Sequence, residues 1–275
     1  MADRKILVRR LLFVGYFIAA FLLFLLLLFP LDRVKSRIES EVRSRTPYVL
    51  TISRISPRFF NTAMLSGVVV SDTGGKVLFE SPAVRTTVSL FGLLRGIVAV
   101  NLKASAYGGD LMIRTQQGPG QYLFVDANGL DISAYPLLKD AGFHLTGKLG
   151  GNFEMKGDVG KGRLWIKGVT SRELKVKGFA IPDLDFDQCW LEGDLKGDRL
   201  TVKKLEMDGK EVKVRASGDL VLREQGTLNL FIKLKLSERM EQEQAWIAGL
   251  IKNRDNEGYR QFTLGGTLSA PVPRL

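Results

Sequence analysis

From residue 143 to residue 236 the chain reads as a series of alternating runs, most of them ended by glycine: FHLTGKLGGNFEMKG, RLWIKG, LKVKGF, CWLEGDLKGDRLTVKKLEMDG, KEVKVRASGDLVLREQG and TLNLFIKLKL. Strand side chains alternate between faces, so each run predicts a half-buried strand and each glycine a turn, bulge or bend. Consecutive strands with short connections favour an antiparallel meander, and glycine bends favour a curled sheet. A Gly-x-Leu unit recurs at Gly147, Gly193, Gly218 and Gly266 without a strict period, so no solenoid repeat is indicated.

The first half reads the same way from about residue 48. YVLTISRI, AMLSGVVVSD, KVLFE and AVRTTVSL are strand-like, and IVAVNLKASAYGGDLMIRT predicts a hairpin around Gly108 and Gly109. FGLLRG breaks the pattern with a short helical turn, and a short helix is expected from Tyr135 to Ala141. Residues 237–258 form the longest non-β insertion: Ser237 can cap a helix whose apolar stripe is Trp246, Ile247, Leu250 and Ile251. RQFTLGGTLSAPV predicts a final strand.

The N-terminal region differs. Residues 11–29, LLFVGYFIAAFLLFLLLLF, carry no charge. At ~1.5 Å per residue they span roughly 28 Å, about one hydrocarbon core. No small-x-small cleavage site follows, which predicts an uncleaved signal-anchor. After Pro30, Leu31, Val34, Ile38 and Val42 form one stripe of an amphipathic helix.

Residues 1–46 hold nine Lys/Arg and four Asp/Glu, so +5 of the net +11 flanks the apolar stretch, where it would meet anionic headgroups. Four cations precede the stretch and five follow within residues 33–45, a near tie by the positive-inside rule. The ten-residue head packs its cations close to the membrane, which places the N-terminus in the cytoplasm and all the remaining chain across the bilayer. The other cations are scattered as lysines on alternating strand positions, suited to solvated faces and blocked edges. Nucleic-acid binding calls for a focused basic patch with stacking aromatics and is not expected.

No catalytic constellation is legible. His144 is the single histidine and cannot supply a His-based metal site; it reads as a structural strand residue. Cys189 is the single cysteine, so an intrachain disulfide is impossible, and it reads as a semi-buried strand residue. GKGR at 160–163 lacks phosphate-loop spacing, and no G-x-S-x-G elbow is present. Asp183, Asp185 and Asp187 alternate on what reads as a solvated strand face, without calcium-loop spacing. No enzyme activity, metal or cofactor is expected.

The most informative stretch for ligands is TLNLFIKLKL. Leu228, Leu230, Ile232, Leu234 and Leu236 fall on one face, while Asn229, Phe231, Lys233 and Lys235 fall on the other. The apolar face is either a sealed core or the floor of an open groove. Each leucine left in water forgoes roughly 1.5–3 kcal/mol, so something must cover it.

The segments SPRFFNTAMLSGVVV, TTVSLFGLLRG, GLDISAYPLL, LTGKLGGNFEMKG and the terminal FTLGGTLSAP follow a basic head, an apolar span and an amphipathic helix. In that order, over nearly the whole chain, they resemble the type II secretion system protein N family (GspN), and more distantly the AsmA-like β-groove proteins. Gly266 to Pro271 is the most telling piece. The resemblance implies a single-pass inner-membrane protein of a Gram-negative bacterium. Residues 1–10 would be a cytoplasmic tail, 11–29 a transmembrane helix, 31–46 a connecting helix and 47–275 a periplasmic β-rich domain.

The expected fold class is mainly β: one transmembrane helix, then a curled antiparallel sheet, a β-groove or open barrel, with a few short helices. The expected function is an accessory part in type II protein secretion, through contacts with other secretion-system components. The alternative is an AsmA-like or lipopolysaccharide-export-like protein that binds lipid in an apolar groove.

Overall fold

The computed structural model describes residues 16–17, 31–59, 61–118, 120–140, 144–172, 175–176, 179–180, 182–223, 226–243, 249, 251, 253–267 and 270–274. The uncharged stretch 11–29 therefore lies outside the described residues except for Tyr16 and Phe17, which are helical. No helix among the described residues is long and apolar enough to cross a membrane.

Helix α1 (Leu31–Arg45) leads into β1 (Tyr48–Phe59), β2 (Thr62–Asp72) and β3 (Val77–Val88). A helical turn α2 (Leu90–Leu94) precedes β4 (Val98–Ala106), β5 (Gly109–Gln117) and β6 (Tyr122–Asp131). A 3-10 turn (Ile132–Ala134) and α3 (Pro136–Asp140) lead to β7 (His144–Lys156) and β8 (Val159–Arg172). After β9 (Lys175–Val176) and β10 (Phe179–Ala180) come β11 (Leu184–Lys196), β12 (Arg199–Gly209), β13 (Val212–Val221) and β14 (Leu228–Leu236). Helix α4 (Glu238–Glu243), β15 (Arg260–Gly266) and β16 (Pro271–Arg274) complete the chain.

Fourteen strands form a single antiparallel sheet in sequence order, from β1 to β16. It is a pure meander, as the short glycine turns predict, and it does not close: β1 and β16 are not paired. β9 and β10 stand apart as a two-stranded hairpin, so LKVKGF is not a member of the main series. Several expected boundaries also change. KVLFE and AVRTTVSL are one strand, β3, running through Pro82. RLWIKG and CWLEGDLK continue through Gly168 and Gly193 rather than ending there. The terminal segment is a hairpin, because Gly266 adopts φ 96° and Thr267 and Ala270 exchange backbone hydrogen bonds.

Residues paired across an antiparallel ladder face the same side of the sheet. An unbroken apolar rank follows from the register. It runs Ile55, Leu65, Val84, Ala104 and Leu111, then Ala127, Gly151, Leu164 and Leu191, and ends Leu205, Ala216, Ile232 and Phe262. One strand end away lies a second rank that includes Leu102, Ile113, Val125, Phe153, Val202, Leu230 and Leu264. The opposite face pairs Arg85 with Lys103, Arg163 with Glu192, and Arg215 with Lys233. One face of the sheet is thus apolar across nearly its full width, and the other is charged.

Bulges keep it so. A one-residue slip would turn every later side chain to the wrong face. Val169 lies three residues from Ile166, and Phe186 three from Cys189, yet all four belong to one apolar cluster. The intervening register shifts at Thr146/Lys148 and Phe186/Gln188, with Gly168 at φ 62°, restore the phase.

Both free edges are blocked. Helix α1 packs on β1, and Glu39 Oε1 accepts the outward N–H of Ile52 at 2.8 Å, beside the fully buried Ile52 side chain. At the other edge, the Thr267–Ala270 bonds fix the alternation so that Pro271 and Pro273 hold the outward positions of β16. Proline has no N–H, so this edge offers no donor for a further strand.

Candidate functional site

Among the described residues, no second sheet makes substantial contacts with the strands of the main sheet. Apart from ladder neighbours, the strands' substantial contacts come from α1 on β1, α2 on β4, the 3-10 turn on β7, α3 on β3 and β7, and α4 on β14. Two apolar clusters result. Val68, Val84 and Ala104 centre one at the β1–β5 side; Val169, Phe186, Val212, Leu236 and Met240 centre the other.

Beside the second cluster lies a hollow of 620 Å³ that presents only apolar atoms. Its floor is a cross-strand row, Leu149, Ile166, Cys189, Met207, Val214 and Leu234, carried by β7, β8, β11, β12, β13 and β14. Leu164 stands at its side and remains 43% exposed. Met240, on the first turn of α4, closes one end. That turn is placed as the sequence predicts: Ser237 Oγ accepts the N–H of Met240 at 3.2 Å and also bonds Glu211. Trp246, Ile247 and Leu250 lie outside the described residues; Ile251 is buried.

The five residues expected to share one face do so, but in two settings. Leu234 and Leu236 line the hollow. Leu228, Leu230 and Ile232 continue the same face beyond it, with Leu228 buried and the other two half-buried. Most of the lining comes from β8, β11 and β12, which single-strand alternation does not reveal because their phase is broken by bulges.

Two polar groups touch this apolar setting. Ser171 lines the hollow, is buried, and its Oγ has no hydrogen-bond partner. Cys189 is half-buried in the floor, as expected of a strand residue. Burial, helped by the Asp208 charge, pushes its thiol up from 9.0 to about 11. Since the thiolate is the reactive form, alkylation at neutral to mildly basic pH should run roughly 100-fold slower than for a free thiol. Iodoacetamide trapping followed by mass spectrometry checks this, and a rate near that of a free thiol would contradict the buried placement.

The other candidates are structural in their contacts. His144 is an exposed residue at the start of β7. Asp183 and Asp185 pair with Arg172, at 3.7 and 2.7 Å. Residues 160–163 lie within β8, not in a loop. Among the described residues no group of carboxylates, histidine and cysteine could hold a metal ion.

The β14–β15 connection that carries Met240 is pinned by Asp255. Its Oδ2 accepts from Lys233 Nζ at 3.0 Å and Gln261 Nε2 at 2.8 Å, and its Oδ1 from the N–H groups of Tyr259 and Glu257 at 2.8 and 3.1 Å. Burial raises the carboxyl pKa, but the Tyr259, Lys233 and Gln261 donors outweigh it and hold it at about 2, below the ordinary 3.8. A depressed folded-state value means the contribution to stability is full above 3.8 and is lost as pH falls towards about 2. Asp255→Asn should be less stable at neutral pH and show a flatter acid limb in denaturation over that window. Parallel limbs would show that the carboxylate is not coupled to folding.

No family model, curated protein or solved structure matches this chain.

Proposed function

We propose that the sheet curls about its apolar face and holds the acyl chains of a lipid, in a non-enzymatic protein anchored to the inner membrane by residues 11–29. The observation that carries this reading is the hollow: 620 Å³ bounded only by apolar atoms on an open sheet. That size falls within the roughly 300–1,000 Å³ of ligand pockets. The curl is supported by α3, a single short turn in contact with both β3 and β7, four ladder steps apart.

A second reading follows from the resemblance to the secretion-system family: the domain binds protein components of a type II secretion machine. The surface that favours it is the charged face, where Trp165 and Trp190 stack at 5.9 Å. Aromatic residues of this kind often anchor protein interfaces.

Site-specific photo-crosslinking in cells of the natural host separates the two. A benzoylphenylalanine at Leu205, which lines the hollow, should capture lipid, and one at Phe231, on the opposite face, should not. A protein adduct at Leu205, or no adduct there, would sink the lipid reading. A secretion-component adduct at Trp165 would support the second.

A further inference from the structure

Among the described residues, large apolar side chains are exposed mainly at one end of the sheet. This end holds the C-terminus of β1, the α2 turn and the tips of the β7–β8, β11–β12 and β13–β14 hairpins. Phe91 is 69% exposed, Leu90 and Leu222 are each 49%, and Val98 and Val159 are more than two-fifths exposed. At the far end Tyr48 is the comparable described residue.

Cations are grouped around the apolar end. Arg58, Arg95, Lys156, Lys196, Arg199 and Arg223 are exposed at the apolar end, beside Glu154, Asp158 and Asp198; Lys156 pairs with Glu154 and Arg223 with Asp198, which leaves Arg58, Arg95, Lys196 and Arg199 in excess. Arg95 covers the Phe91 ring at 5.0 Å, which keeps a cation beside the most exposed aromatic residue. The far end carries both signs: Asp72, Asp131, Glu211, Asp255 and Glu257 lie there together with Lys76, Lys148, Lys210, Arg239 and Arg254.

The chain's path picks out the apolar end independently. Helix α1 runs back along β1, since Arg45 adjoins the start of β1 while Glu39 reaches Ile52 in its middle. Leu31, at the start of α1, therefore lies towards the end at which β1 finishes. A twelve-residue strand spans roughly 40 Å, so the two ends are separated by several Debye lengths.

We infer that this end is a bilayer-docking surface: Leu90, Phe91, Val98, Val159 and Leu222 enter the headgroup region, and the surrounding cations meet anionic phospholipid. Apolar tips ringed by Lys and Arg are the composition that holds a protein in the membrane interface. The inference rests on reading residues 11–29 as a membrane anchor. It also gives the apolar face a purpose at this end: Leu195, Leu200, Leu220 and Leu228 continue that face to the docking edge, so an acyl chain leaving the bilayer meets apolar surface throughout.

The test uses the full chain with Cys189→Ser and single cysteines labelled with bimane. Phe91→Cys and Leu222→Cys probe the docking end, Lys76→Cys and Lys210→Cys the far end, and Leu23→Cys the apolar stretch. The proteins are reconstituted in phosphatidylethanolamine–phosphatidylglycerol vesicles bearing nitroxide on the headgroup or on the acyl chain. Labels at 91 and 222 should lose most of their fluorescence to the headgroup nitroxide, and labels at 76 and 210 little. Unquenched labels at 91 and 222, or equal quenching at both ends, overturn the docking surface. Quenching at 23 by the acyl nitroxide in that case shows the anchor intact and the docking alone refuted. Absence of quenching at 23 refutes the anchor, and docking then stands or falls on labels 91 and 222.

Discussion

Leu164→Glu should abolish lipid capture while leaving the domain folded. Leu164 borders the hollow and is 43% exposed, so a carboxylate there keeps water in the free protein. An acyl chain in the hollow would strip that water, and burying an unpaired charge is far costlier than the apolar contact it replaces. Lipid adducts at a Leu205 crosslinker should fall at least about tenfold, equivalent to ~1.4 kcal/mol. Leu164→Phe keeps the face apolar and should retain capture. Equal capture by the Glu and Phe variants would show that the hollow is not where lipid binds.

Phe186→Ala should have the opposite profile, a large loss of stability. Phe186 is buried among Val169, Val212, Leu236 and Met240, the cluster that closes the end of the hollow. Truncating a buried phenylalanine costs about 3–5 kcal/mol, from lost transfer energy and the cavity left behind. That is a substantial part of the ~5–15 kcal/mol by which domains are stable. Urea denaturation of the full chain should show a lower midpoint at unchanged slope. A loss under about 1 kcal/mol would mean that the cluster collapses to fill the gap, and that the closed end is plastic rather than packed.

The contrast between these residues locates the limit of sequence reading. Strand content, the meander and the apolar side of TLNLFIKLKL follow from residues alone, because alternation and glycine turns are local. Ser237 as a helix cap is local in the same sense, since its hydroxyl bonds an N–H three residues on. Nothing local distinguishes Phe186 from Leu164. Each is an apolar residue in an alternating run, and only the ladder makes one a core residue and the other a rim residue.

What the sequence determined by itself was a chain of alternating strands with one apolar face apiece, preceded by a stretch fit to span a membrane. Tertiary structure alone decided that these faces join into one surface. Joining requires register, and register here depends on bulges at positions such as Thr146/Lys148 and Phe186/Gln188, where the phase slips and is restored against a neighbouring strand. Pairing with the neighbouring strand sets those positions, Thr146 opposite Thr170 and Phe186 opposite Gly209, so no single run encodes them. The same is true of the edges: Glu39 and the two C-terminal prolines block strand addition only because the ladder turns the Ile52 N–H and the Pro271 and Pro273 nitrogens outward.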